Sequence, residues 1–149
     1  METSEIYKIF LQHPQVTTDS RDCPAGSIFF ALKGESFDGN KFAEMAIDKG
    51  CSYAVVDEAE YAKVGDERFT LVDDCLKALH QLANYHRRQL GTKIIGITGT
   101  NGKTTTKELV STVLSEKYNV LFTQGNFNND IGVPKTLLRL TKEHQLGIV

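Results

Sequence analysis

Lys93-Ile94-Ile95-Gly96-Ile97-Thr98-Gly99-Thr100-Asn101-Gly102-Lys103-Thr104-Thr105-Thr106 is an apolar, β-branched run that passes into glycines and hydroxyls. Behind it a helical pattern puts Leu109, Val110, Val113 and Leu114 on one face. Strand, glycine loop and helix N-terminus together turn backbone N–H groups toward one point, where the helix dipole favours negative charge. Lys103 adds a mobile cation, and Thr104 offers a hydroxyl suited to a hard ion such as magnesium, which bridges nucleotide phosphates. The general pattern G-x-x-x-x-G-K-[ST] wants its first glycine at position 97, where Ile97 stands, so the loop is the shorter G-x-x-G-K-T-T. The plain alternative is that Gly99 and Gly102 only make a tight strand-to-helix turn.

Upstream, a short helix over Glu5–Gln12 stops before Pro14, and Thr17-Thr18-Asp19-Ser20-Arg21 reads as a polar turn. Ser27–Leu32 is a short apolar strand. It leads through Lys33-Gly34-Glu35-Ser36-Phe37-Asp38-Gly39-Asn40 into a helix over about 41–49, which Gly50 ends, and then a strand over Ser52–Val56. This βαβ unit puts its glycine loop at the carboxyl end of a strand, where ligands of parallel sheets sit. An ordinary surface turn is the alternative.

Phe69–Val72 is a further strand, and Asp73 and Asp74 cap a helix to about Leu90 with Leu76, Leu79, Leu82, Ala83 and His86 as its apolar stripe. The expected change of domain is at Asp73/Asp74, giving residues 1–73 and 74–149, with Gly91 as the alternative boundary. After the glycine-loop helix, Asn119–Thr123 is a parallel strand and Gln124–Pro134 a loop of asparagines and glycines, with Pro134 in the first turn of a helix reaching Leu140. Asparagine, aspartate and glycine are good turn formers, yet amides that both donate and accept also suit a polar substrate. Leu146–Val149 opens another strand. Strands at 93–98, 119–123 and 146–149 are too few to close a doubly wound sheet, so an N-terminal portion of a longer enzyme is expected.

The 149 residues carry 17 basic and 19 acidic side chains, a net charge of −2, which excludes a general electrostatic footprint for nucleic acid or an anionic membrane. No signal-peptide core or long apolar run occurs, so a cytoplasmic protein without membrane insertion is expected. Cys23, Cys51 and Cys75 are too far apart for a C-x-x-C clip, and the four histidines have no metal-ligand spacing.

Taken together, these stretches resemble the Mur ligases, the amide-forming enzymes of peptidoglycan synthesis. Thr18-Asp19-Ser20-Arg21, Pro24–Gly34 and Phe37-Asp38-Gly39 are similar to the uridine-nucleotide-binding N-terminal domain of the later-acting members, and Thr98–Thr105 to the family's ATP loop. Thr123–Pro134 is similar to the form in the members that add D-alanyl-D-alanine, whereas the diamino-acid-adding members lack the asparagine run.

The resemblance implies an α/β protein: a small N-terminal α/β substrate domain followed by the start of a P-loop, Rossmann-like parallel-sheet ATP-binding domain. It implies that ATP phosphorylates the terminal carboxylate of UDP-N-acetylmuramoyl-tripeptide and that the amine of D-alanyl-D-alanine attacks the acyl phosphate. Lys103 would be catalytic; Gly99, Thr100, Asn101, Gly102, Lys103, Thr104 and Thr105 would bind ATP, and Thr104 magnesium. Ser20, Arg21, Lys33, Gly34, Asp38 and Gly39 would contact the uridine nucleotide, and Asn126, Asn128 and Asn129 the substrate or the phosphoryl site. The family's acidic magnesium ligand and its C-terminal domain would lie beyond Val149, and the chain alone should not turn over. A monomer is expected. A diamino-acid-adding ligase and a non-catalytic uridine-nucleotide-binding module are the alternatives, and a generic P-loop kinase is disfavoured by Ile97.

Overall fold

The computed structural model describes residues 1–99, 101–124 and 129–149. The chain divides into two compact units, Met1–Leu82 and Ala83–Val149.

In the first unit, α1 (Thr3–Gln12) precedes β1 (Val16–Thr17), β2 (Ile28–Phe30), α2 (Ala43–Asp48), β3 (Tyr53–Val56) and β4 (Phe69–Leu71). The four strands form one sheet in the order β1-β2-β3-β4, and every pair is parallel. Ile28, Phe29 and Phe30 are all buried, as are Ala54, Val55 and Val56, which is why these strands read as unbroken apolar runs and not as alternating ones. Val16–Thr17 is a strand and not part of the polar turn the sequence suggests; two residues are too few to show a period, and their pairing with Ile28 and Phe29 is what makes them one. The helix expected from about residue 41 opens as a 3₁₀ turn over Gly39–Phe42 and becomes α2 only at Ala43.

The helix α3 (Cys75–Leu90) follows β4. The boundary expected between residues 73 and 74 falls just before it, and the division into compact units falls within it. Cys75, Ala78, Leu79, Leu82, Ala83 and His86 are its buried side chains.

In the second unit, β5 (Lys93–Ile95), α4 (Lys103–Ser115), β6 (Val120–Phe122), α5 (Gly132–Leu137) and β7 (Leu146–Ile148) give a parallel sheet in the order β5-β7-β6. The last strand thus inserts between the first two. Gly147 lets it do so closely, since a Cβ there would come 2.7 Å from the Cδ1 of Ile94.

One face differs from expectation. The helix α4 buries Lys107 and Ser111, while Leu109 and Val113 are 63% and 69% exposed. Periodicity identifies which residues share a face but not which face meets the sheet. Lys107, at 5% exposure, lies wholly on the packed side.

This burial pattern predicts a contrast measurable by chemical denaturation. Leu79→Ala, at a fully buried site, should cost about 2–5 kcal/mol, whereas Val113→Ala should stay within about 0.5 kcal/mol. An equal loss for both would place α4 the other way round.

Candidate functional site

Parallel strands deliver their following loops to one edge of a sheet. In the first unit this brings together turns that lie well apart in sequence. The Thr18–Arg21 turn leaves β1 and the 33–40 loop leaves the neighbouring β2. Between them lies a cavity of about 500 Å³ lined by Thr18, Asp19, Ser20, Arg21, Phe29, Phe37, Gly39, Phe42 and Met45.

The first wall is held by Thr17, whose Oγ1 donates to the carbonyl of Asp22 at 2.7 Å and accepts from Asp19 N–H at 3.2 Å. Arg21 donates from Nε and Nη2 to the Asp19 carboxylate, both at 3.0 Å, with its side chain largely in solvent. An ion pair this exposed stabilises the turn little, so its guanidinium can exchange partners readily. The second wall is a tight reversal in which Gly34 N–H donates to Phe37 O at 2.9 Å and Lys33 bridges Asp38. Its end closes on the strand it came from: Gly39 N–H donates to Leu32 O at 2.8 Å, and a Cβ on Gly39 would come 2.6 Å from that oxygen. Only glycine fits there.

Of the residues expected to meet a uridine nucleotide, Ser20, Arg21 and Gly39 line this cavity. Lys33 and Asp38 point their charges elsewhere. Lys33 Nζ pairs with Glu58 at 2.9 Å and Asp57 at 3.3 Å. Asp38 accepts from the backbone and side-chain nitrogens of Asn40 at 3.0 and 2.8 Å.

Asn40 and Asp57 drew no attention in the sequence, yet they tie the loop down. Asn40 is fully buried; its Nδ2 also donates to Asp57 Oδ1 at 2.8 Å, and its Oδ1 accepts from Asp57 N–H at 3.0 Å. The other oxygen of Asp57 accepts from Cys75 N–H at 3.1 Å, at the first residue of α3. Burial pushes the Asp57 carboxyl up, but the Cys75 N–H, the Asn40 amide and the Lys33 ammonium outweigh it and hold the group below its ordinary value. An asparagine in a Gly-Asn turn gives no local hint of a partner seventeen positions away.

In the second unit the glycine loop sits at the corresponding sheet edge. Val149 N–H donates to Ile95 O at 3.0 Å and Ile97 N–H to Val149 O at 2.8 Å, carrying the β5 ladder up to the loop. Gly102 is the N-cap of α4, with φ 75° and ψ 8°, a left-handed conformation that lets the chain turn straight into the helix. It brings no side chain to cap the first-turn N–H groups, and a Cβ at Gly96 or Gly102 would meet nothing within 4 Å. Open glycine faces beside uncapped helix amides fit a phosphate chain. Lys103 and Thr104 are the first two residues of that helix, followed by Thr105. Gly99 takes φ 148° and Asn101 lies in the turn before the helix.

Thr100, Asn126 and Asn128 lie outside the described residues. Asn129 Oδ1 accepts from Gly132 N–H at 2.6 Å and Ile131 N–H at 3.3 Å, capping α5, and the residue also lines a cavity of about 430 Å³. Among the described residues no group of three or more His, Cys, Asp or Glu side chains could hold a metal ion, and no helix is long and apolar enough to cross a membrane.

The chain is similar to known proteins along most of its length. The family described as "Mur ligase family, catalytic domain" matches residues 14–87, and the "Mur ligase middle domain" matches residues 97–149. The UDP-N-acetylmuramoyl-tripeptide--D-alanyl-D-alanine ligase of Bacillus subtilis is 40% identical over 98% of this chain and 34% of its own length. A crystal structure of MurF from Acinetobacter baumannii superposes with a TM-score of 0.81 and 43% identity over 90% of this chain and 29% of that one. The MurF ligase from Thermotoga maritima in complex with ADP has a TM-score of 0.81 and 30% identity over 93% of this chain and 32% of that one. The chain therefore spans about a third of the length of the relatives it matches.

Two consequences can be measured. Asn40→Ala strands the Asp57 N–H in a buried setting and leaves Asp57 Oδ1 with Lys33 as its remaining partner, and should cost about 2–3 kcal/mol in urea unfolding; a loss below half of that would mean water replaces the amide. His86 is buried, and its Nε2–H donates to the carbonyl of Leu140 at 2.7 Å. Burial lowers its pKa from 6.5, partly offset by that carbonyl, so the folded chain takes up the proton less readily than the unfolded one. The stability present above pH 6.5 should therefore fall as the pH drops below it, and His86→Gln should flatten that slope in thermal unfolding between pH 7 and 5. An unchanged slope would remove His86 as its source.

Proposed function

The chain belongs to the Mur ligase family, and on that footing we propose that it is part of an ATP-dependent amide ligase that adds D-alanyl-D-alanine to UDP-N-acetylmuramoyl-tripeptide through an acyl phosphate. The observation that carries the reading is the start of α4, where a left-handed Gly102 turns the chain into the helix and puts Lys103 in its first turn. The 40% identity to a D-alanyl-D-alanine ligase over 98% of the chain supports the choice of acceptor over a diamino acid.

Each group has a stated task. Bound ATP supplies the phosphoryl group that activates the carboxylate. The N–H groups of the first turn of α4 and the Lys103 ammonium stabilise negative charge on the phosphates, and they do so best as that charge redistributes during transfer. Thr104 is the residue that would hold magnesium. In the first unit the aromatic faces of Phe29, Phe37 and Phe42 with Met45 provide an apolar wall for a pyrimidine base, while Ser20 and Arg21 offer a hydroxyl and a guanidinium to a diphosphate. Lys33 and Asp38 act by holding the loop that carries Phe37 and Gly39. A monomer in the cytoplasm completes the proposal.

Calorimetric titration with a UDP-N-acetyl sugar tests the nucleotide half, and with ATP and magnesium the phosphate half. Arg21→Ala should weaken the sugar nucleotide about tenfold or more, the worth of a charge-assisted hydrogen bond. Lys103→Ala should abolish ATP binding while leaving the sugar nucleotide unaffected. A folded sample that gives no heat with the sugar nucleotide, or unchanged ATP affinity in Lys103→Ala, would overturn the corresponding assignment.

A further inference from the structure

The cavity of about 430 Å³ beside α5 is lined by Gln124, Asn129, Ile131, Gly132, Lys135, Thr136 and Arg139. Two of these are cations. Lys135 lies in the last turn of α5, and Arg139 lies just after it in a turn closed by Arg139 N–H to Thr136 O at 3.0 Å, so both cations reach the same cavity. Like charges at one cavity repel each other, and among the described residues neither has a carboxylate partner. The remaining wall is polar at Gln124 and Asn129 and apolar at Ile131. Thr136 donates its hydroxyl hydrogen to Gly132 O at 2.9 Å, and Asn129 commits its carbonyl oxygen to the start of α5. A concave site with two cations that have no carboxylate partner among the described residues suits an anion.

Its position narrows which anion. Thr123 and Gln124 follow the carboxyl end of β6, in the same parallel sheet and at the same edge at which Gly96 and Ile97 follow β5. A planar carboxylate suits the guanidinium fork, with the lysine as a second point charge. Resting on the ligase reading above, we infer that this cavity is a carboxylate subsite for the peptide of the acyl donor, with Lys135 and Arg139 as its specificity-determining residues. They hold a carboxylate that does not react, and so orient the one that does.

The test is a titration of the isotopically labelled chain followed by amide chemical shifts. The probes are the free tripeptide alanyl-glutamyl-lysine, the same peptide with every carboxylate amidated, D-alanyl-D-alanine and inorganic phosphate. The tripeptide should shift the amides of Lys135, Thr136 and Arg139, and the amidated peptide should not. In Lys135→Gln/Arg139→Gln the dissociation constant should rise about tenfold or more, with Lys135→Arg retaining affinity. Arg139 is exposed and Lys135 half-buried, and unchanged amide shifts in β5, β6 and β7 of the free variants check that the second unit remains folded. Equal shifts from the amidated peptide, or an unchanged dissociation constant in the double variant, overturn the subsite. Tighter binding there of D-alanyl-D-alanine or phosphate overturns its assignment to the donor. If the tripeptide binds as expected while UDP-sugar binds nowhere in the unmodified chain, the nucleotide reading fails and the carboxylate subsite stands.

Discussion

Parallel pairing is the constraint from which the rest follows. Every strand pair in both sheets is parallel, so each chain segment that leaves a strand does so at the same edge of its sheet. A polar turn after β1 and a glycine loop after β2 thereby become two walls of one cavity. In the second unit the carboxyl ends of β5 and β6 are brought to one edge by β7, which arrives last and inserts between them. Antiparallel pairing of any of these strands would send its loop to the opposite edge and dismantle the site while leaving the core composition unchanged.

Such an edge collects polar backbone as well as ligands, and that backbone needs partners. Asn40 and Asp57 meet the need in the first unit. One amide and one carboxylate satisfy the 3₁₀ turn, the end of β3 and the start of α3, and the Lys33 ammonium balances the charge. Buried polar groups are stabilising only when fully partnered. The same bonds leave Phe37 and Gly39 in position at the cavity, so the rigidity of the loop and its readiness for a ligand have one physical source. Surface charge contributes differently: the Arg21–Asp19 pair is weak because it is exposed, and a residue meant to release one partner for another is best held that way.

The sequence was most informative where chemistry is local. Gly102-Lys103-Thr104 carries its own explanation, since a left-handed turn into a helix favours glycine and the helix start favours anions. The continuous apolar strands Ile28–Phe30 and Tyr53–Val56 were equally legible, because burial on both faces leaves no alternation to find. Illegible were the features that depend on a distant partner. Val16–Thr17 is a strand only because Ile28 and Phe29 lie beside it. The role of Asn40 depends on Asp57, and the buried side of α4 on which of its faces meets the sheet. For α4, hydrophobicity alone favours Leu109 and Val113, yet the helix turns Lys107 and Ser111 inward.

That inversion bears on how the glycine loop is held. The rotation of α4 about its axis fixes the directions in which Lys103 and Thr104 leave its first turn, and the rotation is set by what packs beneath. Lys107 lies one turn beyond Lys103 on the same side of the helix and is 5% exposed, with Ser111 one turn further at 3%. Turning Leu109 or Val113 inward instead would swing Lys103 away from that side, because their positions are not four or eight residues from it. A lysine and a serine are poor choices for apolar burial alone, and Ser111 Oγ is buried without a hydrogen-bond partner among the described residues. Their inward position fixes the helix rotation on which the direction of Lys103 at the loop depends.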